Sequence, residues 1–135
     1  MWGYGDGWQE AEFSPAFGVW RWASERAMLQ LIGAPRAVRI TMRIESPLRY
    51  FDEAPIVKVS AGPREIASAT IDSTREWTFD VPGDAVAASG GAITIETNKH
   101  FVPAERSGGA DRRHLGLRVF AIHVSTELTA RETTR

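Results

Sequence analysis

Apolar and polar residues alternate with a period of two along most of this chain. The clearest run spans residues 38–44, where Val, Ile, Met and Ile occupy every even position. A strand that packs one face against a core and exposes the other has this pattern. Weaker runs of the same kind cover 27–31, 57–59, 77–81 and 93–95. These segments are therefore predicted to be strands that share one core.

The last apolar run differs from the others because its pattern changes face. Leu117 and Val119 belong to one face of the alternation, whereas Phe120 and Ile122 belong to the other. Either an extra residue forms a β-bulge near 118–120, or this strand is central and covered on both sides. The pattern leaves both interpretations open.

Short segments rich in Gly, Pro and Ser separate the apolar runs. They include 33–35, 61–63, 89–91 and 107–109. Residues 82–88 could form one helical turn, but no stretch of about 12 residues has an apolar stripe of helical period. About eight short strands with frequent turns predict an all-β fold. The expected architecture is an antiparallel β-sandwich of the jelly-roll type.

Length and charge exclude several classes of protein. With 135 residues the chain fits a single domain, which we place at 1–125, followed by a polar tail at 126–135. Its 16 basic and 17 acidic residues give a net charge of −1, which argues against a nucleic-acid partner. No apolar run approaches the roughly 20 residues of a membrane helix, and the first seven residues lack a signal-peptide pattern. We expect a soluble domain without direct membrane insertion, of unknown compartment.

Catalytic and metal-binding signatures are missing from the sequence. It contains no Gly-x-Ser-x-Gly elbow, no phosphate-binding glycine loop and no His-Glu-x-x-His motif. It has no cysteine, and its three histidines are widely spaced. His100 and His114 flank a long polar loop and could approach each other, but no third ligand is evident nearby in the sequence. We therefore predict no metal, no cofactor and no enzymatic activity.

Aromatic residues, arginines and carboxylates provide the one candidate binding constellation. Four of the five tryptophans fall within the first 22 residues, and Trp20 and Trp22 share a strand face with Arg21 opposite. Sugars are bound by an aromatic ring on their C–H face and by charged groups on their hydroxyls. The predicted ligand-binding residues are Trp8, Glu10, Glu12, Trp20, Arg21, Trp22, Glu105, Asp111, Arg112 and Arg113. The alternative is that the tryptophans fill the core and Arg21 pairs with a carboxylate on a neighbouring strand.

The carboxylates admit a catalytic interpretation as well. Glycosidases place two carboxyl groups on either side of a glycosidic bond, roughly 5–10 Å apart. Glu10 and Glu12 follow Trp8, and Glu105 and Asp111 bracket a Gly-Gly turn. Salt bridges with the arginines at 106, 112 and 113 are the commoner explanation for such residues.

Four segments together resemble a bacterial family of β-sandwich domains. They are Gly7-Trp8-x-Glu10-x-Glu12, the run at 20–27 (Trp-Arg-Trp-Ala-Ser-Glu-Arg-Ala), the run at 101–107 (Phe-Val-Pro-Ala-Glu-Arg-Ser), and the run at 111–119 that begins Asp-Arg-Arg. Domains with such segments occur at the C-terminal end of some multi-spanning membrane glycosyltransferases and in related uncharacterised proteins. The resemblance covers residues 7–124 and implies an antiparallel β-sandwich of the jelly-roll, galactose-binding-like type, similar to carbohydrate-binding modules. It assigns no catalytic residues.

From these observations we expect a carbohydrate-recognition or glycosyltransferase-accessory module that does not catalyse. Its partners would be a glycan ligand and a membrane glycosyltransferase, and in that role the domain would be extracytoplasmic. The alternative is a structural or protein-interaction domain without a ligand pocket. A small glycan-processing enzyme is the third hypothesis.

Overall fold

The computed structural model describes residues 1–45, 48 and 50–126. The first sheet contains, in spatial order, β1 (Trp2–Tyr4), β4 (Arg26–Leu31), β9 (Ala92–Thr97), β6 (Ile56–Ala61) and β7 (Arg64–Thr70). The second sheet contains, in spatial order, β2 (Glu12–Ser14), β3 (Gly18–Ala23), β10 (Leu117–Ser125), β5 (Val38–Ile44) and β8 (Arg75–Val81). Two short helices, α1 (Gly83–Ala88) and α2 (Pro103–Ser107), lie in the connections. The predicted all-β antiparallel sandwich is thus confirmed.

Consecutive strands from β3 onward pass from one sheet to the other, except at the β6–β7 hairpin. This alternation supports the jelly-roll assignment, which stays a prediction. The short strands β1 and β2 come in addition to the eight that the sequence predicts. Helix α1 confirms the predicted helical turn at 82–88. Among the described residues, no helix is long and apolar enough to cross a membrane.

The main core lies between the two sheets. The alternating run of β5 places Val38, Ile40, Met42 and Ile44 inside, where none is more than 4% exposed. The runs at 27–31, 57–59, 77–81 and 93–95 lie within β4, β6, β8 and β9 and pack against the same core. Period-two patterning therefore predicted these strands and the face that each one buries.

Strand β10 is a central strand and also contains a β-bulge, so both interpretations of its sequence pattern apply. It lies at the centre of the second sheet, between β3 and β5. Its pairing with β5 shifts register between Val119 and Ala121, so a bulge is also present. The bulge re-aligns the strand so that Ile122 and Val124 pack against the main core while Arg118 lies away from it.

A second apolar cluster covers the outer face of the second sheet. Trp22, Phe51, Val102 and Leu115 are buried but do not belong to the main core. The ring of Phe101 lies edge-on to Trp22, with 5.7 Å between ring centroids, and stacks on Tyr50 at 5.0 Å. Through this cluster the connection between β9 and β10 is packed against the outer face. The predicted tail continues beyond residue 126, outside the described residues.

Candidate functional site

One guanidinium links three of the predicted site residues. Arg113 donates hydrogen bonds to the Asp111 carboxylate, the shortest at 2.7 Å, and to the Glu12 carboxylate at 3.1 Å. Glu12 lies on β2, so this contact joins the 98–116 connection to the edge of the second sheet. The hydrogen bonds from the Arg113 side chain lower the pKa of Asp111 to about 2. Asp111 is thus unsuited to act as a general acid, which would need a raised pKa.

Trp8 and Arg21 have structural partners. The indole Nε1 of Trp8 donates to the carbonyl of Met28 at 2.9 Å, and its ring packs against the main core. Arg21 donates to the carbonyl of Gln9 at 3.0 Å, and its guanidinium lies 4.3 Å from the ring centroid of Tyr4. The alternative interpretation gave Arg21 a carboxylate partner on a neighbouring strand. Its partners in the structure are instead a backbone carbonyl and an aromatic ring.

Trp20 and Trp22 lie on the outer face of the second sheet and not between the sheets. Trp22 pairs with Arg118 in the β3–β10 register and is only 6% exposed, since the aromatic cluster covers it. Trp20 pairs with Glu12 of β2. The ring of Trp20 lies 4.0 Å from the guanidinium carbon of Arg118.

Of the predicted residues, Glu10, Glu105 and Arg112 are exposed, and the structure does not bring them together with the tryptophans.

Next to Trp20, the outer face contains a groove with a volume of about 520 Å³. We call it the outer-face groove. It is lined by Ala16, Phe17, Val19, Arg43, Glu45, Thr74, Phe120 and Ala121. Phe17, in the turn between β2 and β3, is 53% exposed although its ring is apolar. Arg43 and Glu45 supply charges of both signs beside the rings of Phe17 and Phe120.

Arg118 is buried next to three residues that line this groove. Its guanidinium carbon lies 4.9 Å from the ring of Phe17 and 5.6 Å from that of Phe120, and Nη1 donates to the Glu45 carboxylate at 3.2 Å. Two buried donors here, Nε of Arg118 and Nε1 of Trp20, have no hydrogen-bond partner among the described residues. Buried donors are satisfied in the great majority of cases, so this pair is unusual.

A separate cluster of ionisable residues lies at one end of the sandwich. Nδ1 of His100 and Nδ1 of His114 each lie 3.1 Å from the same oxygen of Glu25, Oε2. The two imidazole rings are parallel within 4° and their centroids are 4.7 Å apart. The hydrogen bond from His114 is the main cause that lowers the pKa of Glu25, so this carboxylate remains ionised. We call this arrangement the His–Glu–His cluster.

The sequence suggests that the two histidines can approach each other, but it does not indicate Glu25 as their shared partner. This residue is 75 positions from His100 along the chain, in the two-residue connection between β3 and β4. It belongs to a segment that suggests only a turn. Arg43, Glu45, Phe17 and Phe120 were missed too, because they occur singly in an ordinary alternating pattern.

We compared the chain with known protein families, curated proteins and solved structures. Neither protein-family models, nor curated proteins, nor solved structures gave a match. The family suggested by the sequence stays a prediction.

Proposed function

We propose that this protein is a non-catalytic carbohydrate-recognition domain, of the kind that serves as an accessory module of a membrane glycosyltransferase. The observation that carries the proposal is the outer-face groove. There the exposed ring of Phe17 and the ring of Phe120 stand beside Arg43 and Glu45. Aromatic stacking on the C–H face of a sugar, with charged groups that hydrogen-bond its hydroxyls, needs this set of side chains.

The mixture of charges favours a neutral ligand. Glu45 offsets the charge of the buried Arg118, so Arg43 leaves only one net positive charge in the described lining. A phosphate would need a larger excess of positive charge, whereas hydroxyl groups can both donate to a carboxylate and accept from a guanidinium. A hydroxyl oxygen that reached beneath Phe17 would also offer an acceptor to the two unpartnered donors of Arg118 and Trp20.

The groove lies beside the constellation predicted from the sequence and not within it. Glu12, Asp111 and Arg113 satisfy one another, which reduces their capacity to bind hydroxyls. Trp22 is covered by the aromatic cluster. A second groove of about 510 Å³ has no aromatic residue in its described lining and so offers no stacking surface. The outer-face groove therefore supports glycan binding best.

Backbone amide shifts during titration with a panel of neutral oligosaccharides would test this function. We expect shifts in the segments at 16–19, 43–45 and 120–121, with Kd in the micromolar to millimolar range typical of such contacts, about −4 to −8 kcal/mol. Phe17→Ala should weaken binding at least about tenfold. Phe13→Ala is the matched control, because Phe13 is 69% exposed but does not line the groove. Equal losses in both variants, or shifts elsewhere only, would contradict the proposal.

One observation favours the alternative of a protein-interaction domain. Phe13 and Val19 face each other directly across the β2–β3 pair, and they are 69% and 55% exposed. Exposed apolar pairs on an edge strand can bind another chain. If Phe13→Ala changed self-association or capture of a partner while no glycan shifted any amide, this alternative would replace the first.

A further inference from the structure

The His–Glu–His cluster has the composition of a metal site. Imidazole nitrogen and carboxylate oxygen are established zinc ligands, and three protein ligands commonly leave one position open to solvent. One candidate ligand atom from each of Glu25, His100 and His114 lies within 4.8 Å of those of the other two. We propose that these three residues bind a divalent transition-metal ion, with Zn²⁺ as the probe. The proposal does not depend on glycan binding.

The two histidine–carboxylate distances are close to those that zinc requires. With metal–ligand bonds of about 2.0–2.2 Å, neighbouring ligand atoms of a tetrahedral zinc are about 3.3–3.5 Å apart. The two Nδ1–Oε2 distances of 3.1 Å differ from this by only a few tenths of an ångström. The two imidazole rings are stacked in parallel, so both would have to turn about their side-chain torsions for their Nδ1 lone pairs to converge on one ion.

The backbone around the cluster is fixed by hydrogen bonds. Phe101 and Leu115, which directly follow the two histidines, form an isolated antiparallel bridge with hydrogen bonds of 2.9 and 2.8 Å. The carbonyl of Glu25 accepts from the amide of Thr97 at 2.9 Å, and the amide of Gly116 donates to Ala23 at 2.7 Å. Three chain segments are thus held together before any ion binds, as preorganised binding requires.

Charge and exposure suit a cation that keeps a solvent ligand. Glu25 supplies a carboxylate oxygen, and the two histidines supply imidazole nitrogens. The side chains of Glu25, His100 and His114 are 40%, 39% and 53% exposed, so water can reach the remaining coordination positions. A mixed nitrogen and oxygen ligand set favours zinc and its neighbours over Ca²⁺ or Mg²⁺, which prefer oxygen alone.

The position of the site indicates what the metal would do. Glu25 lies in the connection from β3 to β4, and both histidines lie in the connection from β9 to β10. Each connection joins the second sheet to the first at the same end of the sandwich. A bound ion would fasten these two connections to each other, and it would stabilise the fold by binding the native state alone.

Isothermal titration of the full chain with ZnCl₂ at pH 7.5 tests the site. We expect one saturable Zn²⁺ per chain, a higher Tm with Zn²⁺, and reversal by EDTA. Glu25→Gln, His100→Ala and His114→Ala should each weaken binding more than about 100-fold, because loss of a residue that only supports a ligand already weakens binding about 10–100-fold. Because all three side chains are partly exposed, we expect the variants to fold, and circular dichroism checks this.

His123→Ala is the matched control. His123 is exposed on β10, apart from the cluster, so its removal should leave Zn²⁺ affinity unchanged. Co²⁺ provides a second readout, since its visible absorption bands report nitrogen and oxygen ligation directly and should vanish in His100→Ala. The proposal is overturned if Zn²⁺ shows no saturable binding, or if binding survives undiminished in the three ligand variants, whatever the effect of His123→Ala.

Discussion

Arg118 donates a hydrogen bond to Glu45 at 3.2 Å, and both side chains are about nine-tenths removed from solvent. The pair joins β10 to the end of β5 on the outer face of the second sheet. Tyr50 also donates to this carboxylate, at 3.1 Å. Because a buried charge without its partner carries a large desolvation penalty, the two residues depend on each other.

Arg118→Met should therefore destabilise the protein strongly. It leaves the Glu45 carboxylate buried without its guanidinium, a change that typically costs about 3–5 kcal/mol. Urea unfolding followed by tryptophan fluorescence would measure it. Arg39→Met is the control, because the Arg39–Asp80 pair is much more exposed, 28% and 43%, and such pairs contribute about 0–1 kcal/mol. Similar losses in both variants would contradict this assignment of the buried pair.

Gly7 is predicted to tolerate no side chain. Its φ of +91° is unfavourable for other residues, and a Cβ there would lie 2.0 Å from the carbonyl oxygen of Arg26. Gly18 has a similar φ of +76° but nothing within 4 Å of its Cβ position. Gly18→Ala should therefore cost only the backbone strain of about 1–2 kcal/mol, whereas Gly7→Ala should cost clearly more. Equal changes in the free energy of unfolding would show that the close contact relaxes freely.

The sequence predicted the strands of the core well, because a strand with one buried face repeats every two residues. The buried even positions of β5 and the matching runs of β4, β6, β8 and β9 follow from this rule alone. Strands β1 and β2, with three residues each, are too short to show a period. The position of Trp20 and Trp22 on the outer face could not be predicted. An alternating pattern separates the two faces of a strand, but when a loop covers the outer face, both faces carry apolar residues and the pattern does not show which face meets the core.

The sites were harder to predict, since they depend on contacts between residues distant in sequence. Glu25 and His114 are 89 positions apart, and Arg118 and Glu45 are 73 apart. Arg118 and Glu45 meet because β10 pairs with β5 in one sheet, whereas Glu25 and His114 meet where two connections between the sheets lie side by side. Arg113 with Asp111 is the exception, because two residues of separation already favoured an ion pair. Of the ion pairs expected within the 98–114 loop, the described residues show Asp111 with Arg113, whereas Arg106 donates to the carbonyl of Tyr50. The outer-face groove was not predicted.

Asp111 should titrate at an unusually low pH. Its pKa is lowered to about 2, from an ordinary value of about 3.9, by the hydrogen bonds from Arg113. A carboxylate whose pKa is lowered on folding stabilises the protein above its unfolded pKa, and this contribution disappears as the pH falls from about 4 through 2. NMR titration of the Asp111 carboxyl carbon should give a midpoint near 2. Arg113→Gln should return the midpoint to about 4.

Arg112→Gln is the control for this titration. The Arg112 side chain is exposed, so solvent screens its charge and the Asp111 midpoint should barely move. A midpoint near 4 in the unmodified protein would show that the Arg113 pairing does not persist in solution.

The connection at 98–114 should resist proteolysis in the folded protein. Arg106 donates to the carbonyl of Tyr50, and its guanidinium lies 4.7 Å from the ring of Phe101. Gly108 caps the C-terminus of helix α2 in the left-handed conformation, with a φ of 74°, and its amide donates to the carbonyl of Ala104 at 3.0 Å. Trypsin needs an extended segment, so cleavage after Arg106 or Arg112 should be slow relative to the urea-unfolded chain.

Phe101→Ala should make those two bonds sensitive, because it removes the ring that contacts Trp22 and Tyr50 and so detaches the connection from the outer face. Phe17→Ala is the matched control, since it removes an exposed ring from the outer-face groove and leaves this anchor intact. Mass spectrometry of the fragments would follow each bond separately, at a temperature where circular dichroism shows both variants folded. Rapid cleavage after Arg106 in the unmodified protein would mean that the aromatic cluster does not hold the connection in place. Sensitivity in both variants alike would mean that the anchor is not Phe101.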